Sequence, residues 1–450
     1  MKLFCRIGVL WFLTTLTLLS QQPPDRNNTV TTIVSEVSRE NLKTIVQKLV
    51  SFETRHTLSD TVSETRGIGA ARRWIKSEFE RYAKQSNGRL KVEFQEGIAN
   101  VGNRVPRPTR ICNVVATLQP RSGAVDSDRL FLVTGHYDTR AGNPMDTVSA
   151  APGANDDGSG IALVLELARV LSKHEFEATI VFIAFAGEEQ GLLGANQWSE
   201  MARQARLRVQ GVLNNDMVGN TISGDGTVES SYVRLYSEAL SPLDTGSTLR
   251  MRNTLGQEND GPSRTLARYV QEVGERYVPG FGIKMIYRRD RFLRGGDHSP
   301  FHDRGFAAVR IVDVKENYDH QHQNTRTEDG KRYGDLVDFM DFNYLARNAR
   351  VNIAVLASLA LAPAAPAGVG VMTTQLAYDT KLRWNKNRES DLAGYFVRYR
   401  ETSAAQWHGG MFTTDTTATL KLSKDDFLFG VQAVDKEGNA SLISLPVPVR

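Results

Sequence analysis

Thr179-Ile180-Val181-Phe182-Ile183-Ala184-Phe185-Ala186-Gly187-Glu188-Glu189-Gln190-Gly191 decides how this 450-residue chain is read. From Thr179 to Ala186 the run is essentially apolar and rich in β-branched and aromatic residues. A strand covered on both faces needs that pattern, which points to the centre of a parallel sheet. The run ends at a glycine followed by two adjacent carboxylates, so chemistry begins where the strand stops.

Outward from this strand, strand-like and helix-like segments alternate. Residues 30–85 read as helical, with Ala71, Trp74, Ile75, Phe79 and Tyr82 at helical spacing and Asn87-Gly88 as the stop. Residues 91–94, 111–118 and 130–134 read as strands, and 159–171 as a buried helix. The alternation continues through 209–213, 264–277 and 307–312, and a helix at 342–361 closes it, with Asp341 as N-cap and Pro363 as the stop. This predicts an α/β fold with a mostly parallel central sheet flanked by helices over residues 30–362. Residues 363–368 read as a linker by composition. Residues 369–450 change character: short alternating runs at 381–384, 395–400, 417–422 and 427–434 predict a small all-β sandwich.

Composition narrows the function. Charged residues are 24% and hydrophobic ones 40%, which excludes wholesale disorder, collagen and coiled coil. A net charge of +4 is too small a surplus to argue for nucleic acid. Two cysteines, Cys5 and Cys112, exclude a disulfide scaffold and a cysteine-rich zinc module. Residues 1–20 read as a signal peptide: Lys2 and Arg6 precede an apolar run from Ile7 to Leu19, shorter than a usual membrane span. The expected destination is secreted or periplasmic, with an uncleaved anchor as the alternative.

Four segments place carboxylates at the ends of expected strands or just beyond them: His136-Tyr137-Asp138, Asn155-Asp156-Asp157-Gly158, Glu188-Glu189 and Asn215-Asp216. A fifth candidate is Tyr318-Asp319-His320-Gln321-His322. Ligands of open α/β sheets bind outside the carboxyl ends of the strands, so the segments converge there. Each carboxylate alone reads as a solvated loop residue or a helix cap; the recurrence at successive strand ends points to a metal. Mixed imidazole and carboxylate donors suit zinc. The set has room for two Zn2+ ions with one shared aspartate, and Glu188-Glu189 offers one ligand and one base for a bridging water.

In this order the motifs resemble the zinc aminopeptidases of peptidase family M28, over roughly residues 35–360. The resemblance implies peptide substrates and a definite division of roles. His136 and Asp216 hold one zinc, Glu189 and a late histidine hold the other, and Asp156 bridges. Glu188 is the general base, and Asp138 orients His136. The family's late histidine is followed four residues on by an acidic residue; His320 is followed there by Asn324 and His322 by Arg326, and His320 is the preferred ligand. The family often has a tyrosine oxyanion donor just before that histidine; Asp319 stands there, with Tyr318 one residue further back. Gly296-Asp297-His298-Ser299-Pro300-Phe301 resembles a segment that lines the family's cleft, and Arg288, Arg289, Arg291 and Arg294 lie just before it. Residues 369–450 resemble a fibronectin type III domain, through Leu382-Arg383-Trp384, Tyr395 and Val431-Gln432-Ala433-Val434-Asp435; such a module is a candidate contact for a partner or surface polymer, or a stabilising spacer. The rival readings are an M20-type carboxypeptidase or deacylase, a glutaminyl cyclase, and an inactive binding protein.

Overall fold

The computed structural model describes residues 25–374 and 376–449, so the expected signal peptide lies outside the described residues. The fold is built on an eight-stranded sheet in the order β1-β2-β4-β3-β5-β8-β6-β7. Its strands are β1 (Leu90–Ala99), β2 (Thr109–Leu118), β3 (Arg129–His136), β4 (Thr179–Phe185), β5 (Arg208–Asn215), β6 (Tyr232–Tyr236), β7 (Gly282–Ile286) and β8 (Ala308–Asp313). The central four, β4-β3-β5-β8, run parallel. The run that opened the sequence reading is β4, and every residue of it after Thr179 is buried. β6 and β7 extend the sheet from a region where the sequence announced no strands.

Helices cover both faces. The described chain begins with α1 (Asn28–Ser35), α2 (Arg39–Val50) and α3 (Gly67–Ala83), and continues with α4 (Gly158–Leu171), α5 (Leu193–Gln204), α6 (Gly246–Thr254), α7 (Pro262–Tyr277), α8 (Ser299–Asp303) and α9 (Phe342–Leu361). α4 is apolar nearly all round because α2, α3 and α9 pack on it along with β3 and β4. Its one buried charge, Glu166, accepts from the backbone of Ser38 at 2.6 Å and from Arg169. α9 starts where the sequence put it: Asp341 accepts from the amides of Asn343 and Tyr344, at 2.9 and 3.0 Å. Each large apolar side chain buried in this layer, such as Phe79, Phe131 or Phe182, contributes about 1.5–3 kcal/mol.

After a short hairpin, β9 (Arg326–Glu328) and β10 (Lys331–Tyr333), the chain ends in two small sheets. One has the order β15-β12-β11-β17 and the other β14-β13-β16. Their strands are β11 (Gly370–Met372), β12 (Thr380–Arg383), β13 (Leu392–Glu401), β14 (Gly409–Thr413), β15 (Thr417–Leu420), β16 (Phe427–Asp435) and β17 (Val447–Val449). A separate core of Val371, Leu382, Trp384, Tyr395, Val397 and Val431 fills the space between them. The segment expected to be a linker is pinned: Arg129 donates to the carbonyls of Ala362 and Pro363, at 3.0 and 3.3 Å. The small sheets also lean on α7, where Tyr269 donates to the Ala440 carbonyl at 2.9 Å and Asp260 is paired with Arg400 at 2.7 Å.

Candidate metal centre and active-site cleft

The carboxyl ends of β3, β4 and β5 meet at one point. His136 is the last residue of β3, Glu188 and Glu189 follow β4, and Asp216 follows β5. Asp156 comes from the loop that leads into α4. Gly187 makes the turn after β4 possible, since its φ of +75° is open to glycine and strained for most other residues.

Asp138 organises this point. Its carboxylate accepts the amides of Glu188 and Glu189, at 3.1 and 3.2 Å, and the Thr57 hydroxyl at 2.8 Å. Its backbone carbonyl lies 3.1 Å from His136 Nδ1, which therefore carries the ring proton. His136 Nε2 is buried and, among the described residues, without a hydrogen-bond partner, 3.2 Å from Asp156 and 3.9 Å from Asp216. An imidazole lone pair held dry between carboxylates is the arrangement a cation fits.

The two adjacent aspartates divide their roles. Asp157 is the N-cap of α4 and takes the amides of Gly160, His136 and Met217, at 2.8, 3.0 and 3.2 Å. It thereby ties the ends of β3 and β5 to the helix. Gly160 is required at this joint, because a Cβ there would stand 2.3 Å from the Asn215 carbonyl. Asp156 faces the other way: Oδ1 points at His136, and Oδ2 lies 2.9 Å from His322 Nε2. Its own amide donates to Asp335 at 2.7 Å, and that of Asn155 does so at 2.8 Å.

His322, not His320, completes the second cluster, and the preference read from the sequence is corrected here. His322 Nε2 lies 2.8 Å from Glu189 Oε1. His320 instead stacks flat on Phe339, with ring centroids 3.6 Å apart, and burial lowers its pKa. The cause is local. The amides of His320 and Gln321 both bond back to the Asn317 carbonyl, and His322 then adopts a φ of +55°, which turns its ring toward Glu189. Two groups of potential ligands result, His136 with Glu188 and Asp216, and Asp156 with Glu189 and His322; within each, one atom per residue lies within 4.8 Å of the others.

The electrostatics follow from this crowding. Burial, Asp216 and Glu189 push Glu188 well above the ordinary carboxylate range, against the pull of His136. Burial acts to raise Asp156 too, but His322 and His136 beside it hold it well below. Asp297, resembling a cleft-lining residue by sequence, is fully enclosed; burial, Asp138 and Asp216 push it up to about 8. His298 next to it faces away from the cleft and bonds to the Arg289 carbonyl at 2.8 Å.

The clusters open into a cleft of about 550 Å³. Arg291 and Arg294 line it, whereas Arg288 and Arg289 do not. Arg104 and Arg140 also line it, and neither stood out in the sequence: Arg104 lies in a loop without a motif, and Arg140 two residues beyond the His136–Asp138 motif. Neither Tyr318 nor Asp319 lines the cleft; Asp319 is paired with Lys331 at 2.7 Å.

Residues 113–340 match peptidase family M28. Over 426 residues the chain is 43% identical to a probable zinc metalloprotease of Leptosphaeria maculans, spanning 94% of this chain and 98% of the relative. A probable zinc metalloprotease of Pyricularia oryzae is 41% identical over 438 residues, 96% and 86% of the two chains. Among solved structures, the LapA aminopeptidase of Legionella pneumophila superposes with a TM-score of 0.51 at 19% identity, covering 76% of this chain and 78% of its own. An aminopeptidase of Aneurinibacillus sp. strain AM-1 gives 0.52 at 16% identity, with 74% and 96% covered. A glutaminyl cyclase of Porphyromonas gingivalis gives 0.50 at 19%, with 71% and 98% covered. At these identities the solved structures speak for the fold, while the sequence relatives and the family match speak for the lineage. The chain belongs to peptidase family M28 and is a zinc metallopeptidase.

Proposed function

We propose that the protein is an exported aminopeptidase that works with two zinc ions and uses Glu188 as its general base. One observation carries the reading: Asp156 presents one carboxylate oxygen to His136 and the other to His322, so a single side chain faces both clusters. His136 and Asp216 would hold one ion, Glu189 and His322 the other, and Asp156 both. A bound pair supplies Lewis acidity toward the scissile carbonyl and makes a water acidic at neutral pH.

The residues then divide the remaining work. Glu188 lines the cleft within the first cluster, and with Asp156 counted as the third ligand beside His136 and Asp216 it is left free to move a proton. Its carboxylate takes a proton from the attacking water and delivers it to the nitrogen of the leaving amine, so the proton count closes. Asp138 keeps the Glu188 and Glu189 amides fixed and holds the His136 proton on Nδ1. The fold shared with the LapA and Aneurinibacillus aminopeptidases supports removal of N-terminal residues. Retention of both clusters supports a peptidase over the cyclase reading. The apolar run before residue 20 supports export, and among the described residues no helix is long and apolar enough to cross a membrane. The paired small sheets around Trp384 support the fibronectin type III-like reading of residues 369–450, and their docking on α7 supports a stabilising role.

The test is a pair of variants assayed on free and N-acetylated peptides. Glu188→Gln should keep its zinc and lose most of its activity; Asp156→Ala should lose zinc as well. Near-full activity of Glu188→Gln overturns the base assignment, and cleavage that persists after N-acetylation overturns the aminopeptidase reading.

A further inference from the structure

The cleft is more cationic than two metal clusters require. Arg104, from the loop between β1 and β2, reaches over the site and donates to the Glu189 carbonyl at 2.7 Å. Among the described residues it forms no ion pair. Arg291 and Arg294 enter from the loop after β7, and both lean on one carboxylate, Glu316, at 2.9 and 3.2 Å. Arg234 pairs with the same carboxylate at 2.5 Å. Arg291 also touches Asp290 at 3.1 Å, but Asp290 is engaged by the buried Arg310 at 2.9 Å. Arg310 in turn lies 2.9 Å from Asp216. Four guanidiniums therefore share Glu316, Asp290 and Asp216, and Asp216 belongs to the metal cluster. The other carboxylates lining the cleft, Asp156, Glu188 and Glu189, sit in or beside the clusters, and Arg140 is already paired with Glu189 at 3.0 Å. The surplus positive charge falls on Arg104 and on the Arg291–Arg294 pair, and all three line the cavity.

We propose that Arg104, Arg291 and Arg294 form a receptor for a substrate carboxylate, so that this enzyme selects anionic peptides. The inference rests on the aminopeptidase reading and names its substrate class. Guanidinium groups match a carboxylate with two parallel hydrogen bonds, and three of them lining one cavity, with the cleft's carboxylates engaged in or beside the clusters, raise the local concentration of the opposite charge. The carboxylate has two sources: the side chain of an N-terminal Glu or Asp, or the C-terminus of a di- or tripeptide that ends inside the cleft.

Two matched substrate pairs separate the sources. Glu-Ala-Ala-amide against Gln-Ala-Ala-amide isolates the side chain; Leu-Gly against Leu-Gly-amide isolates the C-terminus. For at least one pair the anionic member should have a kcat/KM about tenfold higher or more, and the advantage should shrink as salt is raised. In the Arg104→Gln/Arg294→Gln variant the ratio should fall toward one. A second readout does not depend on turnover: calorimetric titration of zinc-loaded Glu188→Gln with the same four peptides should give the same order of affinities. Equal kcat/KM and equal affinity within both pairs overturns the proposal, as does a ratio that survives in the double arginine variant. If no unblocked peptide loses its N-terminal residue, the aminopeptidase reading falls, and the calorimetry still decides carboxylate binding. If neutral peptides are cleaved as fast as anionic ones, only the carboxylate receptor falls.

Discussion

Asp260→Ala tests how firmly the C-terminal sheets are joined to the catalytic domain. Asp260 precedes α7 and is 1% exposed. It accepts Arg268 at 2.6 Å and takes Arg400, from β13, on both oxygens at 2.7 Å. Both arginines are buried. Burial lowers the pKa of Arg400; Asp260 works against that, and Arg268 adds to it. Without Asp260, two guanidiniums face each other in a space closed to water. Their remaining contacts are polar but uncharged: Arg400 donates to the Ala404 carbonyl and Arg268 to that of Ala405, both at 2.7 Å. Removing one partner of a buried ion pair costs about 3–5 kcal/mol, a large share of the ~5–15 kcal/mol that stabilises a typical protein. Arg400→Met should cost less, because it leaves the Asp260–Arg268 pair charge-balanced. Chemical unfolding, followed by tryptophan fluorescence and by far-UV circular dichroism, measures both. Asp260→Ala should also speed proteolysis within residues 363–368. The reasoning is refuted if Asp260→Ala costs under about 1 kcal/mol, or if Arg400→Met costs more.

Asp335→Ala frees the amides of Asn155 and Asp156 and lets Asp156 rotate; zinc affinity should fall about 10–100-fold in a competition titration against a chelator, and unchanged affinity would sink the positioning role. His298 is held neutral: burial lowers its pKa from 6.5 to about 4, with Arg310 adding to that and Asp290 opposing it. Its contribution to stability is therefore complete above pH 6.5 and is lost as pH falls through about 4, amounting to about 3 kcal/mol. His298→Gln should flatten the stability profile between pH 6.5 and 4, and an unaltered profile refutes this assignment. Chelation should abolish activity and lower the melting temperature together, since binding at a thousandfold excess over Kd is worth about 4 kcal/mol; a melting temperature indifferent to chelator would contradict the coupling.

The α/β core was legible because its signals are local and redundant. A strand buried on both faces, as β4 is, has to be apolar throughout, and a helix end needs a cap such as Asp341. β6 and β7 were not legible, because short strands near a sheet edge can carry mixed sequences. Arg234 in β6 illustrates this: it stands between the buried Val233 and Leu235 and pairs with Glu316. How the linker is held was not legible for a related reason. Its Ala and Pro composition describes the chain by itself, whereas Arg129, some 230 positions away, fixes it through backbone carbonyls.

The site was legible as a set of motifs, and the division of work among its carboxylates came only from the family resemblance, not from the residues themselves. Residue type and spacing treat Asp138, Asp156, Asp157, Glu188, Glu189, Asp216 and Asp335 alike; backbone amides separate them. Asp138, Asp157 and Asp335 each accept two or three backbone N–H groups. Such a carboxylate is held in place, and much of its capacity to accept is already used. Asp156, Glu188, Glu189 and Asp216 accept no backbone amide among the described residues. Their lone pairs turn toward His136, His322 and one another, and Arg310 at Asp216 and Arg140 at Glu189 offset only part of that crowding. The first group makes the shape and the second group makes the demand for charge. The same distinction decides between His320 and His322. His320 lays its ring flat on Phe339, away from the carboxylates, while His322 points a nitrogen into the second group of carboxylates, a choice set by the backbone at residues 317–322.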